Sequence, residues 1–169
     1  MLLFLSACSG SKPLATVVEL DLQRYAGVWY EIERLPNSFE KGLSCVQASY
    51  ALNPDGSIVV ENHGYGPKGW KKVKGSAVQK EFEKPGEIKV TFYWPFYGDY
   101  FILELDKEYQ YALVGSPSRK YLWILARQPE MPEERIMALK QKAQSLGFDT
   151  STMERISHQC PDEEEKEIN

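Results

Sequence analysis

The chain has 169 residues, 43% of them hydrophobic and 26% charged, with a formal net charge of -4. That length and balance suit one globular domain with a sizeable core and exclude a fibrous or wholly disordered chain. The mild acidity argues against nucleic acid as a partner, and no apolar run of about 18 residues is present to form a spanning helix.

The chain opens on the apolar run Met1-Leu2-Leu3-Phe4-Leu5, followed by Ser6-Ala7-Cys8. An apolar run closed by small residues and a cysteine resembles the lipobox of bacterial lipoproteins, in which the cysteine becomes the lipidated N-terminus. The run lacks a positive residue and is shorter than a full signal peptide, so 1–7 reads as the end of a signal whose start is missing or misassigned. The plainer alternative is a disordered apolar N-terminus. The resemblance implies that Cys8 carries acyl chains and that 8–21 is a lipidated tether. Several acyl chains hold a protein stably on a bilayer where one binds only marginally. Ser9 stands where aspartate would, in enteric-type bacteria, favour the inner membrane, which points to the outer membrane with the domain facing the periplasm.

From Gly27 to Arg127 short β-rich runs alternate with turn signals, as expected of an antiparallel sandwich or barrel. Eight runs can be read: Val28–Leu35, Cys45–Leu52, Ser57–Tyr65, Trp70–Glu81, Ile88–Trp94, Tyr100–Asp106, Tyr111–Gly115 and Tyr121–Arg127. Asn53-Pro54-Asp55-Gly56 and Glu83-Lys84-Pro85-Gly86 supply proline and glycine turn chemistry between them. The period then lengthens, and Ile136, Leu139, Ala143 and Leu146 fall on one face of a helix opened by Pro132 and closed by Gly147. Glu133 and Glu134 complement its dipole, and its apolar face needs a surface to pack on, most simply the outside of a closed sheet. The tail Asp162-Glu163-Glu164-Glu165-Lys166-Glu167 reads as a solvated, disordered end, 162–169. With Cys8 given to lipid, Cys45 and Cys160 form an even pair that an oxidising periplasm would join as a disulfide, the alternative being two unrelated buried thiols.

Eight strands and one late amphipathic helix narrow the fold, and here the residues resemble the lipocalin family. Gly27-Val28-Trp29-Tyr30-Glu31 matches its Gly-x-Trp signature, Asp106 to Val114 loosely resembles its second motif, and Arg127 ends the last strand as in its third. Leu105-Asp106-Lys107 departs from the usual Thr-Asp-Tyr. The likeness runs from Leu22 to Pro161 and is to the bacterial lipoprotein members and their animal relatives. It implies an all-β domain over 22–161, an eight-stranded antiparallel up-and-down β-barrel with one C-terminal α-helix packed outside. It also implies that Trp29 and Arg127 form the barrel floor through a cation–π contact, a structural role.

Such a barrel is just wide enough to be filled or to hold one small ligand. With Trp29 inward and Cys45 outward, alternation makes Leu35, Val46, Ala48, Tyr50, Ile58, Val60, Asn62, Val90, Phe92, Tyr100, Ile102, Ala112, Val114, Trp123 and Leu125 inward. This mostly apolar set with a few polar groups fits an elongated apolar molecule with one polar end. The resemblance implies that Tyr50, Asn62, Phe92 and Trp123, with Tyr100 beside them, are the candidate ligand-binding residues, against a reading in which each is ordinary core. Glu31 and Glu33 share the inward parity, and a buried carboxylate needs a partner, a proton or a bulge that turns it out. Tyr65, Trp70, Trp94, Pro95, Phe96 and Tyr97 cluster at strand ends as a ring for the mouth, a dimer contact or a membrane rim. Lys68, Lys71, Lys72 and Lys74 could draw a phosphate head group or simply form a solvated strand face.

The text Gly64-x-Gly66-x-x-Gly69 contains Pro67 and precedes a strand, so it is no dinucleotide fingerprint. His63 and His158 lack metal-ligand spacing and no nucleophile/base motif is present, so no enzyme activity, metal or cofactor is expected. The expected function is storage or transport of a fatty acid or lysophospholipid by a monomer or weak homodimer held at the outer membrane, serving envelope maintenance under stress. The alternatives are a carrier of a rigid ligand such as a sterol, bilin or haem, and an interaction protein whose barrel is merely packed.

Overall fold

The computed structural model describes residues 12–161, so the signal remnant, Cys8 and the acidic tail lie outside the described residues. A single helical turn, α1 (Leu22–Tyr25), is set by Asp21, whose carboxylate accepts from the Gln23 and Arg24 amides. Eight strands follow: β1 (Gly27–Arg34), β2 (Ser44–Leu52), β3 (Ile58–Gly66), β4 (Gly69–Gln79), β5 (Glu87–Tyr93), β6 (Phe96–Leu105), β7 (Tyr111–Gly115) and β8 (Leu122–Ala126). Each pairs antiparallel with the next, and β1 pairs with both β2 and β8, which closes the barrel. The helix α2 (Glu133–Ser145) and the two-residue β9 (Glu154–Arg155) complete the chain.

Strand limits match those read from the sequence to within two residues except at β6, which starts at Phe96 instead of Tyr100. There Gly98 and Asp99 look like turn residues, yet Gly98 pairs with Val90 and Lys89 binds Asp99 across the hairpin. α1 was too short to leave a periodic signal.

The strands carry apolar side chains on both faces where both faces are covered. In β8, Trp123 and Leu125 point into the barrel, while Leu122, Ile124 and Ala126 join Leu113 and Ile32 in an outer layer. The α2 residues Ile136, Leu139 and Ala143 seal that layer and are almost fully buried. On β3 and β4, where nothing covers the sheet, outward positions include the polar Glu61, Lys72, Lys74 and Ser76 among a few apolar ones such as Val59 and Val78.

Two bulges correct the simple alternation. In β1 the partner of Glu31 is Leu125 but that of Glu33 is Ile124, so an extra residue lies between them. One extra residue reverses the facing of all that follows. Glu33 therefore points outward, against Lys140 of α2 and Arg155 of β9, each 2.9 Å away. Leu35, expected inside, packs in the outer layer, and Arg34 takes the inward place opposite Trp123. The second bulge, between Ser44 and Gln47, sets Cys45 at φ 50°. Cys45 is disulfide-bonded to Cys160 across 115 residues, as the cysteine count implied. The segment it ties down fills the gap where β1 and β2 diverge: Ile156 donates to Ile32, and the Cys45 amide to Ser157.

Candidate functional site

The barrel has one plugged end and one open end. At the plugged end α1 crosses beneath the strands, and Trp29, 0% exposed, donates from its indole to the Tyr25 carbonyl at 2.8 Å. The Arg127 guanidinium lies 3.9 Å from the Trp29 ring and donates to the carbonyls of Val28, Arg24, Tyr25 and Tyr109. Gly27 makes room for it: φ is +92°, and a Cβ there would stand 3.4 Å from the arginine. The arrangement satisfies four carbonyls at once and closes the floor.

Just above this plug three tyrosine hydroxyls converge. Tyr100 is 2.7 Å from Tyr25 and 3.0 Å from Tyr50. Two of the candidate residues, Tyr50 and Tyr100, thus meet, and Tyr25 is a third partner that alternation could not supply because it precedes the barrel. Burial pushes all three phenols well above the ordinary tyrosine range, so each is a neutral donor and acceptor. The cavity beside them, between Leu22, Leu52, Ile58 and Ile88, is only about 10 Å³, room for about one water.

Towards the open end the wall turns mixed. Phe92 lies over Gly75, where a Cβ would come within 2.7 Å of its ring and 2.3 Å of the Thr91 carbonyl, so glycine is required for β4 and β5 to close. Asn62, opposite Ala48 and Val73, has a buried side-chain oxygen with no hydrogen-bond partner. Trp123 stacks on Tyr121 and donates to Glu40 Oε2 at 3.0 Å. Glu40 also accepts from Asn37 at 2.6 Å, which ties the loop 35–43 to the barrel wall.

The charged part of this wall went unrecognised in the sequence. Arg34, 2% exposed, donates to Glu31 at 2.9 Å and to the carbonyls of Glu40 and Leu43. Burial pushes the Glu31 carboxyl well above the usual carboxylate range, Glu40 raises it further, and Arg34 opposes both. The only sequence signal was that a buried Glu31 needs a partner. The bulge that makes Arg34 that partner leaves no trace in the residue pattern. The site is therefore a well with a hydroxyl-lined bottom, apolar middle and charged upper wall.

A family model described as a lipocalin-like domain matches residues 20–158. The chain is a lipocalin. It is 41% identical over 152 residues to the outer membrane lipoprotein Blc of Citrobacter freundii, covering 87% of this chain and 86% of that one. It is 39% identical over 165 residues to mouse apolipoprotein D, covering 90% and 86%. The solved insecticyanin of the tobacco hornworm shares the fold, with TM-score 0.70 at 21% identity over 89% of this chain and 85% of the other. As a lipocalin the protein is a binder of small hydrophobic ligands and not an enzyme.

Proposed function

We propose that this lipocalin carries a fatty acid or lysophospholipid at the bacterial outer membrane, where Cys8 is acylated, and serves envelope maintenance under stress. The observation that carries the reading is the vertical polarity of the well. An acyl chain would lie along the half-buried Val90 and Phe92, above the sealed layer of Val60, Ile102 and Val114, with its polar head beside Arg34, Trp123 and Asn62. Asn62 then gains the partner that its buried oxygen lacks. Kinship with the Blc lipoproteins supports both the lipid anchor and the membrane.

Mechanism here is partition. Each methylene moved from water into the well contributes about 0.8 kcal/mol, offset by the cost of association. Tyr50 and Tyr100 stand beneath the chain's end, and the Arg34 Nε–H, buried without a hydrogen-bond partner, offers a phosphate or carboxylate a charged hydrogen bond. Native mass spectrometry of the protein purified from a bacterial periplasm, followed by denaturation, identifies what it holds. Released fatty acid or lysophospholipid is expected. An empty chain that also fails to bind added lysophospholipid overturns the reading and favours a packed barrel acting through its surface.

A further inference from the structure

The ten residues before α1 form a strap along the outside of the barrel, and its course is fixed at four points. The Asp21 amide donates to the Tyr109 hydroxyl at the plugged end, the Val17 amide donates to the Ile102 carbonyl midway, and Leu14 is buried in the outer layer. Finally Arg119 donates to the Lys12 carbonyl. Arg119 belongs to the loop 116–121, which joins β7 to β8 at the open end, and its own place is held by bonds to Pro117 and Leu146. The strap thus delivers Lys12 to the mouth of the well.

Cys8 is four residues before Lys12, a reach of at most about 14 Å even fully extended. Were the chain pinned only at Asp21, the reach would be about 45 Å, longer than β6 itself at about 33 Å, and either end could face the membrane.

The surface at that end has the matching chemistry. Of the seven exposed aromatic residues among those described, six lie at the mouth: Phe39, Tyr93, Trp94, Phe96, Tyr97 and Tyr121. Tyr93, Trp94 and Phe96, at the β5–β6 turn, are 75%, 80% and 77% exposed. Phe82 is the one such residue at the plugged end. The loops 35–43, 67–68 and 116–121 at the mouth also carry Lys41, Lys68, Arg119 and Lys120 against the buried Glu40, while the segment after α2 brings Asp149 and Glu154 to the same end. Aromatic rings with a polar edge settle at the level of lipid head groups, and neighbouring cations favour an anionic surface.

We propose that the open end of the barrel faces the bilayer that anchors the chain, with Tyr93, Trp94 and Phe96 seated in an anionic phospholipid surface, so that ligand passes between membrane and well without crossing water. This rests on the reading of Cys8 as the acylated residue. The strap supplies the orientation and the aromatic turn the contact.

The test uses the acylated protein reconstituted in vesicles of phosphatidylethanolamine and phosphatidylglycerol, its acylation at Cys8 verified by intact mass. A fluorophore is placed at Phe96→Cys or, at the plugged end, at Glu83→Cys. The mouth probe is expected to be quenched by lipids brominated on their acyl chains and to be about tenfold less open to iodide than the other. In Trp94→Ser/Phe96→Ser, transfer of lysophospholipid from vesicles should slow about tenfold while its affinity in solution stays within about twofold. An unacylated Cys8 overturns the anchor and this inference together. An acylated chain with both probes equally open to iodide overturns the inference alone. Shielding without bromine quenching, growing with protein concentration, overturns it too, since a second copy then covers the rim.

Discussion

Arg34 and Glu31 meet at 2.9 Å inside the barrel only because the bulge before Glu33 turned one glutamate out and brought the arginine in. Replacing Arg34 by alanine leaves two carboxylates, Glu31 and Glu40, buried without that cation. The expected cost is about 3 to 5 kcal/mol, read by urea unfolding. A loss below about 1 kcal/mol would show that water or rearrangement replaces the guanidinium.

The same pair sets a pH dependence. Because the folded Glu31 holds its proton more tightly than the unfolded chain does, its contribution is complete below the ordinary carboxylate range and is lost as pH rises through the raised value. Stability of the native chain should therefore fall more than that of Glu31→Gln as pH rises above the ordinary carboxylate range. Parallel stability curves for the two proteins would contradict the assignment.

At the floor, Arg127→Ala removes the cover of Trp29 and leaves the carbonyls of Val28, Arg24 and Tyr109 to find water, Tyr25 keeping the Trp29 indole. A loss of about 2 kcal/mol is expected, and Arg127→Lys should recover little of it because an ammonium cannot span the same carbonyls from above the ring. Thermal unfolding of both variants decides this, and full rescue by lysine would mean that charge alone matters there.

Asn62→Leu should move stability and binding in opposite directions. Removing a buried oxygen without a partner stabilises the empty protein by about 1 kcal/mol, while the same change weakens lysophospholipid binding by about tenfold. Denaturation and lipid titration on one preparation test both, and unchanged affinity would place the head group elsewhere.

Opening the Cys45–Cys160 bridge, by Cys45→Ser with Cys160→Ser, frees the segment that fills the gap between β1 and β2. A bridge across 115 residues restrains the unfolded chain strongly, so a loss of about 3 to 5 kcal/mol is expected by calorimetry. A loss near zero would mean that the hydrogen bonds of Ile156 and Ser157 hold the segment unaided.

How much the sequence disclosed depended on the range of each signal. Period-two runs such as Ile58, Val60 and Asn62 revealed the strands, and the switch to the spacing of Ile136, Leu139 and Ala143 revealed α2, because both patterns are local. Trp29 and Arg127 stood out through a resemblance, since nothing local says that two residues so far apart stack. Glu33 and Leu35 were misplaced for one reason: a bulge adds a residue without changing composition, and every later side chain in the strand changes face. Arg34, Glu40 and Tyr25 were missed because their roles arise from loops and a helical turn folding over the barrel ends.

The three hydroxyls of Tyr25, Tyr50 and Tyr100 satisfy one another and leave almost no space beside them, which makes the bottom of the well an end-stop. For a carried acyl chain the well is then a ruler. Affinity climbs with each added methylene until the terminal methyl reaches Tyr100, after which further carbons stay in the mouth and add nothing. On the proposed acyl ligand, a single side chain, Tyr100, would set the longest chain that the protein can tell from a shorter one.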